Sequence, residues 1–207
     1  MPLKNQFPIE LNTKQEQVLL GSVFGDACIG HTQRHRNPYL KLSSKDADRD
    51  YIFWKYEQME ATGLFAHPPE DGRISGFGTH MWDLRSCEHV FLLPYRRLFY
   101  PEGRKTVSQE ALDRLAPLGL AVWYMDDGCL EWPRGRVFLY TQGFDLQENE
   151  RIRAWFTTRW GFDFHLRRVN RGKVALALHD TTQAREFLNL TRPFAVPCMS
   201  RKWGGEL

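Results

Sequence analysis

Leu118 to Gly128, Leu-Gly-Leu-Ala-Val-Trp-Tyr-Met-Asp-Asp-Gly, runs apolar and small residues straight into two adjacent carboxylates and a glycine. A surface helix carries one apolar stripe, whereas a segment apolar almost all round belongs in an interior. The pattern predicts a buried helix that stops at Gly128 in a left-handed cap, with Asp126 and Asp127 on its last turn. Carboxylates there face the negative end of the helix dipole. Something must offset that charge, and a divalent cation is the first candidate. Val18 to Cys28, Val-Leu-Leu-Gly-Ser-Val-Phe-Gly-Asp-Ala-Cys, has the same form and ends on Asp26. Cys28 and Cys129 each follow the acid by two residues. Two copies of one unit, each delivering a carboxylate to a shared place, account for this.

The rest of the chain repeats too. Thr13-Lys-Gln-Glu reads as a capping box opening the first helix. Gly21 and Gly25 fall on one face of it, allowing close approach of a partner helix with Ala121 at the contact. Residues 28–44 read as two short strands, with Lys41 and Ser43 opposite Leu40 and Leu42. His31 and His35 have a metal-pair spacing, but their segment does not read as helix. A helix over 46–62, a strand pair over 72–86 and a helix over 88–100 follow. After the basic link 102–107 come a helix over 110–127, strands near 130–133 and 136–142, and a helix over 145–160 capped by Asp145 and Glu148. A hairpin turned at Asn170-Arg-Gly and a helix over 181–190 complete the chain. Each half reads as helix, two strands, helix, two strands, helix, an α+β arrangement divided at 1–102 and 103–207. Asp26 and Asp127 are 101 residues apart, and Lys105 and Lys202 are 97 apart, which points to a duplication.

The length of 207 residues suits two such halves sharing a core, and 42% apolar content supplies it. No apolar window is long enough to span a membrane and the N-terminus lacks a signal core. The four cysteines lack a short C-x-x-C spacing, so structural zinc is not expected. These features predict a soluble protein of a reducing intracellular compartment, whether bacterial cytoplasm, mitochondrion or chloroplast. Net charge is only +3, but arginines and lysines cluster near strands and loops, as on a polyanion-binding face.

With Leu19-Leu-Gly-Ser-Val-Phe-Gly-Asp26-Ala and Leu120-Ala-Val-Trp-Tyr-Met-Asp-Asp127-Gly as its two motifs, the chain resembles the LAGLIDADG homing endonucleases of the monomeric, two-motif type. Tyr140-Thr-Gln-Gly-Phe and Pro193-Phe-Ala-Val-Pro-Cys-Met-Ser-Arg-Lys extend the likeness. The resemblance implies two pseudo-symmetric αββαββα halves, motif helices packed at the centre and two antiparallel sheets forming a saddle on double-stranded DNA. The eighth motif position selects Asp26 and Asp127 as catalytic metal ligands, with the backbone carbonyls of Ala27 and Gly128 beside them. The cofactor implied is magnesium, on the order of two or three ions, with Mn2+ or Ca2+ able to replace it in binding. Lys105 and Lys202 are implied as electrostatic supports near the scissile phosphates, and Gln142 as a water-orienting residue. Phe24 and Met125 stand at the sixth position, which is commonly acidic. Val122 replaces the third-position glycine of the second motif, and Asp126 occupies its seventh position without an evident partner.

Base edges in a long target are expected to meet Arg34, Arg36, Lys41, Ser43, Arg73 and Arg85 from the first half. Arg134, Arg136, Tyr140, Arg167, Arg171 and Lys173 are expected from the second. Some of these contact only phosphate. The halves differ at these positions, so the target is expected to be asymmetric and cut on both strands, and the protein to be intron-encoded. Two other readings stay open: an RNA-binding maturase that assists its host intron, and a DNA-binding regulator without catalysis.

Overall fold

The computed structural model describes residues 7–31, 37–76, 78–169 and 172–205, with Arg73 described in its backbone alone. Of the expected DNA-contacting residues, Arg34, Arg36 and Arg171 lie outside the described residues, as does His35. The first half runs α1 (Thr13–Phe24), β1 (Cys28–Gly30), β2 (Tyr39–Lys45), α2 (Arg49–Met59), β3 (Glu70–Ile74), β4 (His80–Arg85) and α3 (Leu93–Phe99). The second runs α4 (Gln109–Asp113), α5 (Pro117–Asp127), β5 (Gly128–Glu131), β6 (Arg136–Leu139), α6 (Leu146–Trp160), β7 (His165–Arg168), β8 (Val174–Leu178) and α7 (Thr181–Thr191). Short 3-10 segments, Arg192–Phe194 and Pro197–Trp203, follow α7. Each half has its own four-stranded antiparallel sheet, in the orders β1-β2-β4-β3 and β5-β6-β8-β7. The duplicated α+β arrangement is therefore present. No helix among the described residues is long and apolar enough to cross a membrane.

Two helix starts differ from the sequence reading. Asn12, not Thr13, caps α1: its side chain accepts the Gln15 N–H, and the Gln15 side chain accepts the Asn12 N–H. That reciprocal cap leaves Glu16 free to pair with Arg114. The expected continuous helix over 110–127 is broken into α4 and α5. α4 stops at Asp113; Ala116, held extended by the following proline, is the N-cap of α5, and Pro117 opens that helix at a position where its missing N–H costs nothing. The buried Gln17 side chain spans the break, accepting from Ala116 N–H at 2.7 Å and donating to Arg114 O at 2.8 Å.

α1 and α5 lie side by side and run in the same direction: Gln17 meets the start of α5, and Gly25 meets Asp126 near its end. A Cβ on Gly21 would overlap Gly119 O and approach Val122 Cβ to 2.7 Å. The close approach thus uses Gly119 and Val122, where the sequence pointed to Ala121. Around the seam Phe24 packs at a tilt on Trp123 at 4.8 Å, and Trp123 stacks on Phe156 at 6.2 Å. Each such fully buried ring contributes roughly 1.5–3 kcal/mol of apolar burial. Gly128 is not left-handed; it is extended (φ −84°, ψ 156°) and begins β5 directly. Glycine is required there because a Cβ would overlap the Tyr124 ring.

Strand register sorts the faces. In the first sheet Ile29, Leu40, Leu42 and Leu84 are buried, while Lys41, Ser43, Asp83 and Arg85 share the opposite face. In the second, Val137, Leu139, Leu176 and Leu178 point to the core. Arg136, Phe138, His165, Arg167, Ala175 and Ala177 share the other face.

Candidate active site

Parallel packing of α1 and α5 brings Asp26 and Asp127 together at one end of the helix pair. Asp127 is the last residue of α5, and Asp26 follows α1 by two residues. Burial is the main force on both carboxyls, and each is raised further by its acidic neighbours. Asp127 is pushed up to about 8 by burial, then by Asp26 and Asp126; Lys105 and Lys202 oppose the rise. Asp26 is raised by burial and by Asp126, against Lys55, Lys202 and Lys105. Two carboxyls raised by burial and by acidic neighbours in one partly desolvated place have the chemistry to take up a cation.

The supporting lysines are placed by hydrogen bonds to the motif helices. Lys105 Nζ donates to Gly25 O at 2.7 Å and Ala27 O at 3.2 Å. Lys202 Nζ donates to Tyr124 O at 3.3 Å, to Met125 O, and to Asp126 O at 3.0 Å. An ammonium on the last carbonyls of a helix satisfies orphan acceptors and complements the dipole. Burial lowers the pKa of both lysines, opposed by the nearby acids. Because Ala27 O already accepts from Lys105, one lone pair remains on it for any metal.

Asp126 finds the partner that the sequence did not reveal. Lys55 Nζ, from α2, contacts Asp126 Oδ1 at 2.7 Å and Oδ2 at 2.9 Å, with both side chains nearly inaccessible (6% and 2% exposed). Asp126 Oδ2 also accepts the Asp26 N–H at 3.4 Å. Lys55 lies over the Tyr51 ring at 4.4 Å, and Tyr51 OH donates to Val122 O at 3.2 Å. A signal existed: Lys55 interrupts the buried stripe Tyr51, Ile52, Met59, and a buried lysine demands a counter-charge. Beside this cluster a cavity of about 610 Å³ opens, lined by Asp26, Lys55, Asp126, Arg201 and Lys202 among others.

The donor set suits a hard divalent ion. It consists of two carboxylates and main-chain carbonyls, and among the described residues no group of three or more His, Cys, Asp and Glu gathers as a metal cluster. Magnesium is usually held in that way, with substrate phosphate and water filling its other positions. Sites of the zinc type need more protein ligands.

The expected DNA-contacting side chains divide between the sheets. Lys41, Ser43 and Arg85 share one face of the first, where Ser43 donates to Asp83 and Lys41 lies 3.9 Å from it. Arg85 stacks on Tyr39 at 3.8 Å. In the second sheet Arg167 covers the Phe138 ring at 4.6 Å, and Arg134 and Arg136 lie near Glu131. Tyr140, Gln142, Arg167 and Lys173 line one cavity of about 520 Å³. Tyr140 N–H donates to Asp127 O at 2.9 Å, so this row begins beside the catalytic candidate. His165 and His179, with rings 5.7 Å apart, join the same face and were not singled out from sequence. Their alternation with Arg167 and Ala177 was the available sign. Trp132, 76% exposed at the β5–β6 turn, was also missed.

Residues 16–185 match the model of the LAGLIDADG DNA endonuclease family. The chain is 27% identical over 207 residues to Protein RecA of Mycolicibacterium chitae, covering 94% of this chain and 47% of that protein. It spans about half the length of the curated relatives it matches first. The fold matches that of the homing endonuclease I-WcaI bound to its DNA recognition sequence, with a TM-score of 0.85 at 22% identity, covering 98% of this chain and 90% of that one. It also matches I-DmoI in complex with DNA and Mn, with a TM-score of 0.56 at 12% identity, covering 89% and 98%.

Proposed function

The chain belongs to the LAGLIDADG DNA endonuclease family, and from that premise we propose that it is a site-specific homing endonuclease. It cuts both strands of one long, asymmetric DNA target by metal-dependent phosphodiester hydrolysis, acts as a monomer, and is encoded within an intron. The observation that carries the reading is the convergence of Asp26 and Asp127 at one end of the paired motif helices, each raised by burial and by its acidic neighbours. A carboxylate on either side of a pseudo-two-fold axis offers one acid to each strand of a duplex.

Asp26 and Asp127 hold the divalent ions, with Ala27 and Gly128 contributing carbonyls. A bound Mg2+ or Mn2+ supplies charge neutralisation at the phosphate and a lowered pKa for the attacking water. Lys105 and Lys202 keep positive charge beside the two acids while fixing the ends of α1 and α5. Gln142, exposed at the end of the Tyr140 row, orients water. Lys41, Ser43, Arg73 and Arg85 of the first sheet, and Arg134, Arg136, Tyr140, Arg167 and Lys173 of the second, meet the DNA, with Arg34, Arg36 and Arg171 as further contacts. The unlike chemistry of the two faces supports an asymmetric target. The Mn and DNA bound to I-DmoI, a protein of the same fold, favour the same reading.

The test is incubation of purified protein with cloned intron-insertion sequences in magnesium and in manganese. Linear product from one sequence is expected. No cutting with any divalent ion, alongside tight binding of intron RNA, would favour the maturase reading; tight DNA binding without cutting would favour a regulator.

A further inference from the structure

Arg104 and Arg201 immediately precede Lys105 and Lys202, and each grips the half of the molecule that its lysine does not. Arg104 Nη1 donates to Glu148 Oε2 at 2.9 Å and Nη2 to Asp145 Oδ2 at 3.1 Å, at the start of α6 in the second half. The next residue, Lys105, donates to Gly25 and Ala27 at the end of α1 in the first half. Arg201 Nη2 lies 2.7 Å from Asp48 Oδ1 and 2.8 Å from Oδ2, at the start of α2 in the first half. Lys202 donates to the end of α5 in the second half. The offset is constant: Arg104 to Arg201, Lys105 to Lys202, and Asp48 to Asp145 are each 97 residues. Asp48 and Asp145 hold the same N-cap position of corresponding helices, α2 and α6.

We propose that Arg104 and Arg201 are positioning residues, two crossed braces that each hold one lysine against one motif helix from across the molecule. A lysine has much rotamer freedom to lose, so a fixed ammonium needs a fixed main chain. The guanidinium fork supplies that, because it binds carboxylates in a defined geometry and stays charged. Each brace has one buried acceptor: Asp48 is 7% exposed and Glu148 4%. Glu148 also accepts the Val107 N–H at 3.1 Å, which fastens the linker on the far side of Lys105. Arg201 similarly donates to Cys198 O at 3.0 Å within its own segment. In the first pair Lys105 crosses to α1 while Arg104 stays in the second half; in the second pair Arg201 crosses to Asp48 while Lys202 stays with α5. Each motif helix end therefore depends on contacts that need both halves assembled. In consequence, the braces govern the two cleavage events separately; that consequence rests on the endonuclease reading, whereas the bracing itself does not.

The test compares wild type, Arg104→Gln and Arg201→Gln as full chains. Reductive methylation by formaldehyde and borane, followed residue by residue by mass spectrometry, reads how tightly each ammonium is held. Lys105 should label several-fold faster in Arg104→Gln alone, and Lys202 in Arg201→Gln alone. Asp48→Asn should reproduce Arg201→Gln, and the double variant should be no worse than either. Unchanged labelling, or equal exposure of both lysines in either variant, would overturn the proposal. On a plasmid carrying the target, each variant should slow one strand, a different one in each case, by about 10- to 100-fold, so that nicked circles accumulate. Equal slowing of both strands overturns the proposal even if labelling changes. If wild type cuts nothing, the endonuclease reading falls while the labelling still decides the bracing.

Discussion

The two motif helices end with the same main-chain pattern and different side chains. Gly25 O accepts Lys105, and Asp126 O accepts Lys202, at equivalent seventh positions. Yet Gly25 offers no side chain, whereas Asp126 projects a carboxylate that a Cβ on Gly25 would meet at 2.5 Å. At the 97-residue offset, Lys55 of α2 corresponds to Ile152 of α6, which is fully buried. The two halves thus share their backbone acceptors and a terminal acid, while one has a buried ion pair where the other has a buried apolar residue. The lesson is that pseudo-symmetry holds at the two helix ends that carry Asp26 and Asp127 and relaxes in the packing just behind them. The sheets differ in the same way: an acid, Asp83, sits among the outward cations of the first, and Phe138 with two alanines floors the second.

The largest expected effect tests the equality of the centres. Asp26→Asn and Asp127→Asn should each lower double-strand cleavage by more than about 10³-fold, with DNA affinity by gel shift little changed. Either variant cutting both strands at the wild-type rate would break the equivalence.

Lys55→Met tests the inequality behind them. It strands the Asp126 carboxylate in the interior and should cost about 3–5 kcal/mol in denaturant unfolding. Adding Asp126→Asn should restore most of that loss, since removing both charges is cheaper than removing one. A single variant as stable as wild type would show that the pair is not a buried one.

A somewhat smaller effect concerns pH. Asp127 titrates at about 8 when folded and in the ordinary range of about 4 when unfolded. Between those values the folded state holds a proton that the unfolded state has released. Stability of the metal-free protein should therefore fall as pH rises from about 4 toward 8, by a few kcal/mol, roughly 1.4 per pH unit at most. Asp127→Asn should flatten the slope, and saturating Mg2+ should oppose it by favouring the ionised carboxylate. Thermal melts across that range check the sign.

The smallest effect sharpens the comparison of the helices. Gly21→Ala forces a methyl against Gly119 O, which is backbone and cannot swing aside. It should cost about 1–3 kcal/mol as an overpacked core change. Gly143→Ala, where a Cβ would meet nothing within 4 Å, should stay near wild type.

Much of the architecture was legible because it repeats. Both apolar runs, their terminal acids and the matching lysines stand at nearly constant offsets, and strand alternation places Lys41 and Ser43 opposite Leu40 and Leu42 as expected. The errors were local. Asn12 displaced Thr13 as cap because an amide at position 15 closes the box as well as Glu16. The single helix over 110–127 failed because Pro117 restricts Ala116, a local rule outweighed in the reading by the continuous apolar pattern. Gly128 was assigned a left-handed turn when its role is to clear the Tyr124 ring.

The sequence by itself determined the duplicated units, the two acids at the helix ends and the supply of basic residues, because each follows from spacing along one chain. Tertiary structure alone decided what those groups touch. Lys55 reaches Asp126 across 71 positions of sequence, and Arg201 reaches Asp48 across 153. No periodicity encodes such pairs; they arise when packing removes a charge from water and leaves it one partner within reach. The opening run of apolar residues therefore foretold burial, but only the assembled halves show that its first aspartate is held by Lys55 of the opposite half while its second lies beside Asp26.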